Sequence, residues 1–300
     1  MTTWCNAALS VGLIALLAIA PARAQDRISV VATFSILGDF VKNVGGDRVE
    51  VTTLVGPNSD VHVYSPTPGD TKRVAPARAV FMNGLGLEGW IARLVMASGS
   101  KAPVVIASTG VKRRNAVEGG STGIDPHAWQ SVANAKRYVA NVRDALDAAD
   151  PAGKETYDAN AAAYSGKLDT LEEEVREAIE KIPADRRKII TTHDAFGYFG
   201  DAYGMTFIAP EGVSTDAEPS AKEMAKIIGQ IKRQKIPAVF MENITDARLI
   251  QEIARETDAK IGGTLYSDAL SGPSGPAGSY IDMMRNNVRE FSKALTVKNE

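Results

Sequence analysis

From Arg27 onward, short β-branched runs alternate with longer stretches whose apolar residues recur every three or four positions. "RISVVATFS" has strand length, and "ILGDFVKNVGG" keeps helical spacing until it stops on glycine. "VEVTTLVG", "RAVFMNG" and "APVVIAS" predict further short strands, with "LEGWIARLVMAS" as a helix between the last two. "TPGDTKRVAPA" opens as a helix does, with Thr67 as N-cap, Pro68 at the first helical position and Asp70 in the first turn. This βαβαβαβ order implies a parallel sheet with helices on both faces.

The pattern changes between residues 151 and 181, where the chain reads "PAGKETYDANAAAYSGKLDTLEEEVREAIEK". Leu168, Leu171, Val175 and Ile179 fall at helical spacing, Pro151 suits a helix start and Pro183 a stop. A helix of about 30 residues is roughly 45 Å long, unusual inside one domain. The functional reading is a rigid rod joining two lobes and allowing only modest closure; the plainer reading is a long surface helix of one domain. After Pro183 the alternation restarts with the strands "RKIITTH", "MTFIAP", "IPAVFMEN" and "IGGTLYSDAL" and the helices "SAKEMAKIIGQIKRQK", "DARLIQEIARETDA" and "SYIDMMRNNVREFSKAL". The expected fold class is α/β: two lobes, each with a parallel-type sheet flanked by helices, joined by one long helix. The boundaries expected are 25–149 for the first lobe, 150–183 for the linking helix and 184–300 for the second lobe. Ligands of such folds bind in interlobe clefts, beyond the carboxyl ends of the strands.

The first residues read differently. "AALSVGLIALLAIA", Ala7 to Ala20, is apolar and uncharged but shorter than the ~20 residues that span a bilayer. "PARAQ" follows, with Ala22 and Ala24 placed as a cleavage signal, so residues 1–24 read as a secretory leader, although its first ten residues lack Lys and Arg. Cys5, the single cysteine, precedes the apolar run and is misplaced for lipidation. The expectation is a periplasmic protein without a lipid anchor, and without cysteine for a disulfide or thiolate site. With 44% hydrophobic and 23% charged residues and a net charge of −2, the composition is ordinary and gives no reason to expect nucleic acid or an anionic membrane as partner.

Only three histidines are present. His62 lies in the loop after the second strand, His127 in "GIDPHAWQS" before a helix, and His193 at the end of the second lobe's first strand. Asp268, in "GGTLYSDALSGPSG", also ends a strand. All four sit on the ligand side of an α/β lobe. Three imidazoles and one carboxylate suit Zn²⁺ and other first-row divalent ions, whereas calcium and magnesium want oxygen. The separations are long and no H-E-x-x-H motif is present. Three readings stand at this point: a shared metal site, a catalytic base at His193 oriented by Asp194 or Asp268, or three unrelated structural histidines.

At these residues the chain resembles a known family, the metal-binding solute-binding proteins of zinc and manganese ABC importers. "HVYSPTPGD", "DPHAWQS", "TTHDAFGYFGDAYG", "GVSTDAEPSAKEM" and "GGTLYSDALSG" look like that family's segments in order and spacing, across essentially the whole chain after the leader. The resemblance implies that His62, His127, His193 and Asp268 hold a divalent metal between two lobes bridged by a long helix. It also implies delivery to a membrane permease driven by a cytoplasmic ATPase, by a monomer that is not an enzyme. Relatives with Glu at the third position are associated with manganese; His193 stands there, and a higher nitrogen count favours zinc. Zinc-dedicated members carry a His-rich loop between the first two ligands, but the corresponding loop, "KRRNAVEGGSTGI", has no histidine. That leaves manganese open, with zinc slightly favoured. Other classes are a secreted zinc hydrolase with water in the fourth place, disfavoured by Asp268, and an adhesin with a structural metal.

The neighbours receive plainer readings. Tyr64, Trp129 and Phe196 either wall the site from water or are core aromatics, the second preferred; Asp125 and Asp194 either accept an imidazole N–H or cap a helix, capping being the commoner role. Asp60 is read as a solvated loop carboxylate in preference to a spare oxygen ligand, and "VKRR", Val111 to Arg114, as a solvated loop. Glu218 and Glu242 either touch the permease or line the cleft, and the sequence does not choose.

Overall fold

The computed structural model describes residues 27–118 and 121–296. The expected leader lies outside these residues. The first part of the chain runs β1 (Ile28–Phe34), α1 (Ser35–Gly45), β2 (Val49–Val55), α2 (Pro68–Val74), β3 (Val80–Met82), α3 (Ile91–Ser98) and β4 (Val104–Ile106). These strands form a parallel sheet in the order β2-β1-β3-β4. A hairpin, β5 (Asn115–Glu118) and β6 (Ser121–Ile124), and α4 (Val132–Ala149) lead to the long helix α5 (Lys154–Glu180). Then follow β7 (Lys188–Ile190), α6 (Gly197–Tyr203), β8 (Thr206–Ile208), α7 (Ala221–Gln234), β9 (Ala238–Glu242), α8 (Ala247–Arg255), β10 (Lys260–Leu265) and α9 (Tyr280–Thr296). The second sheet is also parallel, in the order β10-β9-β7-β8.

The expected strands and helices are present, with differences where patterning is weak. The hairpin replaces an expected loop. Its strands are too short and polar for a periodic signal, and the Gly119-Gly120 pair between them was the available hint. Helix α5 has 27 residues, about 40 Å at 1.5 Å per residue, because a 3₁₀ turn takes up Pro151–Gly153. Helix α6 occupies a glycine-containing segment, "GYFGDAY", that was not among the expected helices.

Helix α5 is packed along its whole length. Its stripe Tyr157, Ala161, Tyr164, Leu168, Leu171, Val175 and Ile179 is buried, against α1 and α4 from the first half and α6 and α9 from the second. The apolar core is accordingly continuous from Val30 on β1 to Phe291 on α9. A smaller cluster, including Ile190, Ile231, Val239 and Ile250, lies between the second sheet and helices α7 and α8.

Polar bonds stitch the halves together near one segment, residues 266–271. Leu270 donates its backbone N–H to Ser35 Oγ at 2.9 Å and accepts from Asn58 N–H at 2.9 Å. The carbonyl of Ser267 accepts from Trp129 Nε1 at 2.9 Å and Gln130 Nε2 at 2.8 Å. Asp39 of α1 accepts from the Tyr280 backbone at 3.0 Å and from Tyr164 Oη at 3.3 Å, and burial raises its pKa above the ordinary carboxylate value.

Leu171 is fully buried in this shared core. Leu171→Ala is expected to lower unfolding free energy by about 2–5 kcal/mol, because the rigid surroundings cannot fill the void. Urea unfolding with a lower midpoint and unchanged slope checks this; a loss under about 1 kcal/mol contradicts it.

Candidate metal centre

Each sheet delivers its polar residues from the carboxyl ends of parallel strands. The loop after β2 carries His62. Asp60 shapes it, accepting the His62 backbone N–H at 2.8 Å and the Thr215 hydroxyl at 2.5 Å. Asp60 is therefore tied to both halves rather than solvated. Farther along the same loop, Asp70 at the start of α2 accepts from Thr67 N–H at 2.7 Å, the Thr67 hydroxyl at 2.8 Å and Tyr64 Oη at 2.8 Å. The expected cap at Thr67–Asp70 thus also braces the His62 loop.

His127 follows β6 and is fully buried. Asp125 Oδ1 accepts its backbone N–H at 2.9 Å and lies 2.8 Å from its Nδ1. The expected capping role for Asp125 is replaced by this contact; Ser131 occupies the N-cap of α4. Asp125 Oδ2 accepts from Arg114 Nη1 at 3.0 Å, so Arg114 does not lie in a merely solvated loop.

The expected strand stops at Ile190, so His193 stands three residues beyond β7, and it is fully buried. Because β7 and β9 are neighbours, with Ile190 opposite Val239, Glu242 at the end of β9 lies beside it. Glu242 Oε1 accepts the backbone N–H groups of Thr192 and His193 at 2.8 and 2.9 Å, and Oε2 lies 2.6 Å from His193 Nδ1. Asp194 is not a helix cap: α6 starts at Gly197 with Phe196 at its N-cap. Burial pushes the Asp194 carboxyl pKa up.

With Nδ1 of His127 and of His193 turned to carboxylates, Nε2 of both points to Asp268, where His62 joins them. His62 Nε2 lies 3.2 Å from His127 Nε2 and 3.0 Å from Asp268 Oδ2. His193 Nε2 is 3.0 Å from Asp268 Oδ2, and His127 Nε2 is 3.6 Å from Oδ1. One donor atom from each of the four residues can be chosen so that all lie within 4.8 Å of one another. Tetrahedral coordination with bonds near 2.05 Å places donors about 3.3 Å apart, which these separations bracket. Asp268 is fully buried and its Oδ1 accepts no hydrogen bond, its nearest imidazole nitrogen being His127 Nε2 at 3.6 Å, so a cation here would meet an oxygen with spare capacity.

The aromatics divide. Trp129 stands edge-on to His127 at 5.4 Å, while Phe196 stacks on Phe207 at 5.1 Å in the core. Tyr64 packs on Trp90 at 5.0 Å. A cavity of about 620 Å³ reaches His62 from outside, lined by Leu85, Leu87, Arg113, Ile124 and Ser214 among others. A larger groove of about 860 Å³ between α7 and α8 includes Glu218 and none of the four clustered residues. Glu242 was the residue with no legible role; its signal was an acid at the carboxyl end of a strand beside the one carrying His193.

The family described as zinc-uptake complex component A, periplasmic, matches residues 30–294. The manganese-binding lipoprotein MntA of Halalkalibacterium halodurans is 36% identical over 271 residues, 90% of this chain and 89% of that protein. The iron-binding protein YfeA of Yersinia pestis is 34% identical, covering 92% of this chain and 88% of that one. The periplasmic zinc-binding protein TroA of Treponema pallidum superposes with a TM-score of 0.84 at 31% identity, over 90% of this chain and all of that one. The chain belongs to this family, the metal-binding solute-binding proteins of ABC transporters. MntA and the streptococcal PsaA are named lipoproteins, which runs against the expectation of a chain without a lipid anchor.

Without metal, the cluster carries its own charge pairs. Burial opposes the charged form of His127, but attraction to Asp268 and bonds to Asp125 and Asp268 outweigh it and raise its pKa to about 9. Burial likewise opposes His193, and the Glu242 and Asp268 charges raise it well above the imidazole range. Burial would raise the pKa of Asp268, yet the two imidazoles hold it well below the carboxylate range. The histidine contribution to stability is fully present below pH 6.5 and is lost as pH rises through about 9 for His127. That of Asp268 is present above pH 3.8 and is lost as pH falls through its depressed value. Metal-free protein is therefore expected to lose on the order of 2 kcal/mol between about pH 6.5 and 9, a fall that His127→Gln flattens. Urea midpoints across that range test this; stability rising with pH there contradicts it.

Proposed function

We propose that His62, His127, His193 and Asp268 are the four ligands of one divalent first-row cation, captured outside the cytoplasm and passed to the permease of an ABC importer. The observation that carries this reading is the convergence of three Nε2 atoms and a buried carboxylate at 3.0–3.6 Å. Asp125 is hydrogen-bonded to the His127 ring at Nδ1, and Glu242 Oε2 stands 2.6 Å from His193 Nδ1 in a close charge contact, so both rings leave Nε2 for the ion, as ligating histidines require. The chain acts as a monomer of two lobes, residues 25–149 and 184–300, on either side of the helical segment 150–183.

Three nitrogens and one carboxylate bind Zn²⁺ more tightly than Mn²⁺ by the Irving–Williams order. Zinc is the tighter ligand in this reading, with manganese also accepted; relatives named for manganese and iron support the breadth. Hydrolysis is disfavoured because a metal-bound water needs an open position, and Asp268 stands at the fourth corner, 3.0 Å from two imidazoles.

Titration of demetallated protein is expected to give one Zn²⁺ per chain, with protons released on binding and affinity weakening at acidic pH. His62→Ala and His193→Ala are expected to weaken binding by more than about 100-fold, and Glu242→Gln by about 10- to 100-fold. Calorimetry in two buffers of different ionisation enthalpy measures affinity and proton release together. Unchanged affinity in both histidine variants would sink the assignment. Competition between Zn²⁺ and Mn²⁺ for the same sample tests the preference.

A further inference from the structure

Arg114 stands outside the metal cluster, yet it touches both halves of the protein. Its Nη1 donates to Asp125 Oδ2 at 3.0 Å, while the other oxygen of that carboxylate holds the His127 ring at 2.8 Å. Its Nε donates to Asp201 Oδ2 on α6 at 3.2 Å. Its backbone N–H donates to Tyr198 Oη on α6 at 2.9 Å, and that hydroxyl donates to the Lys112 carbonyl at 3.3 Å. Helix α6 begins four residues after His193.

The first turn of α6 fits against the guanidinium. A Cβ added at Gly197 would lie 2.2 Å from Arg114 Nη1 and 2.3 Å from Cζ. No larger residue fits there unless the arginine moves. The two ends of the contact differ in strength. Asp201 is mostly exposed, and exposed pairs are weak. Asp125 is fully buried, so losing its partner leaves a carboxylate oxygen poorly satisfied. The firm end thus grips the carboxylate that orients His127. The other end registers where α6 lies, through Gly197 and Tyr198.

We infer that Arg114 is a positioning residue that couples the orientation of His127 to the placement of α6, and so slows metal release while the two halves are together. The inference rests on the ligand assignment proposed above. Displacing α6 pulls the guanidinium off Asp125, frees the carboxylate to turn and loosens the His127 ring. Metal retention then depends on a contact across the halves that involves no metal ligand directly.

The test uses the full chain loaded with Zn²⁺ and mixed rapidly with excess chelator. Arg114→Ala is expected to release the ion about tenfold faster, in the range seen when outer partners of ligating histidines are removed. Gly197→Ala, which keeps the charge but displaces the guanidinium, is expected to act in the same direction, and Arg114→Lys to restore part of the retention. Co²⁺-loaded Arg114→Ala and Gly197→Ala are expected to show altered visible absorption bands, which report ligand geometry. An unchanged metal-free melting temperature excludes general unfolding as the cause. Release rates and Co²⁺ spectra equal to wild type in both variants overturn the inference. Faster release in Arg114→Ala with Gly197→Ala unchanged overturns the coupling to α6. Wild-type protein that takes up no Zn²⁺ overturns the ligand assignment and the inference together, whereas normal uptake with unchanged variants overturns the inference alone.

Discussion

A carboxylate with no exposed surface is costly to keep ionised, and Asp268 is one. Much of the surrounding architecture answers that cost. Three imidazoles face it, two of them buried as deeply as it is. Asp125 and Glu242 in turn hold the far nitrogens of those two rings. Around His127, His193 and Asp268 the cluster thus alternates negative and positive groups beneath the surface, where each pairing counts for more than an exposed one. Oδ1 of Asp268 is left without a hydrogen bond, and this alternation leaves room for a cation to replace protons on the rings.

Topology makes the arrangement affordable. Parallel strands release their side chains at one edge, so two parallel sheets facing each other bring loops from distant segments to one place. β2 leads to His62, β7 to His193 and β10 to Asp268. Helix α5 packs on elements of both halves, and the bonds to Ser267 and Leu270 fix the segment carrying Asp268 against the first half. The carboxylate is therefore positioned by residues of the first half as much as by its own strand.

The elements were legible where periodicity was strong: the strands of both sheets, the long helix with Leu168, Leu171, Val175 and Ile179 on one stripe, and the cap at Thr67. The four clustered residues were legible because each stands at a strand end or helix start, a local property of the sequence. Their partners were not. Glu242 reaches His193 only through the pairing of β7 with β9, and nothing local to "VFMEN" records which strand lies beside it. Asp125 looked like a helix cap because Asp before a helix commonly is one; the competing bond to the His127 ring depends on how the chain turns at Pro126. Arg114 looked solvated because its partners lie 11 and 87 residues away. Local chemistry thus identified the residues that cluster, and non-local pairing what stands against them.

The same distinction bears on metal choice. Counting donors from sequence gives three nitrogens and a carboxylate, a set that favours zinc. The geometry adds two considerations. The rings of His127 and His193 are each fixed at Nδ1 and buried, and a rigid, nearly tetrahedral set suits Zn²⁺, which tolerates four donors. Against this, Oδ1 of Asp268, which accepts no hydrogen bond, would offer a fifth donor to an ion that prefers more oxygen. On the ligand assignment proposed above, selectivity turns less on the identity of the residue at 193 than on how freely the Asp268 carboxylate can rotate to present both oxygens. That freedom is limited by the backbone bonds at Ser267 and Leu270, on either side of it. On that assignment, the contacts that join the halves also limit the coordination number available to the ion.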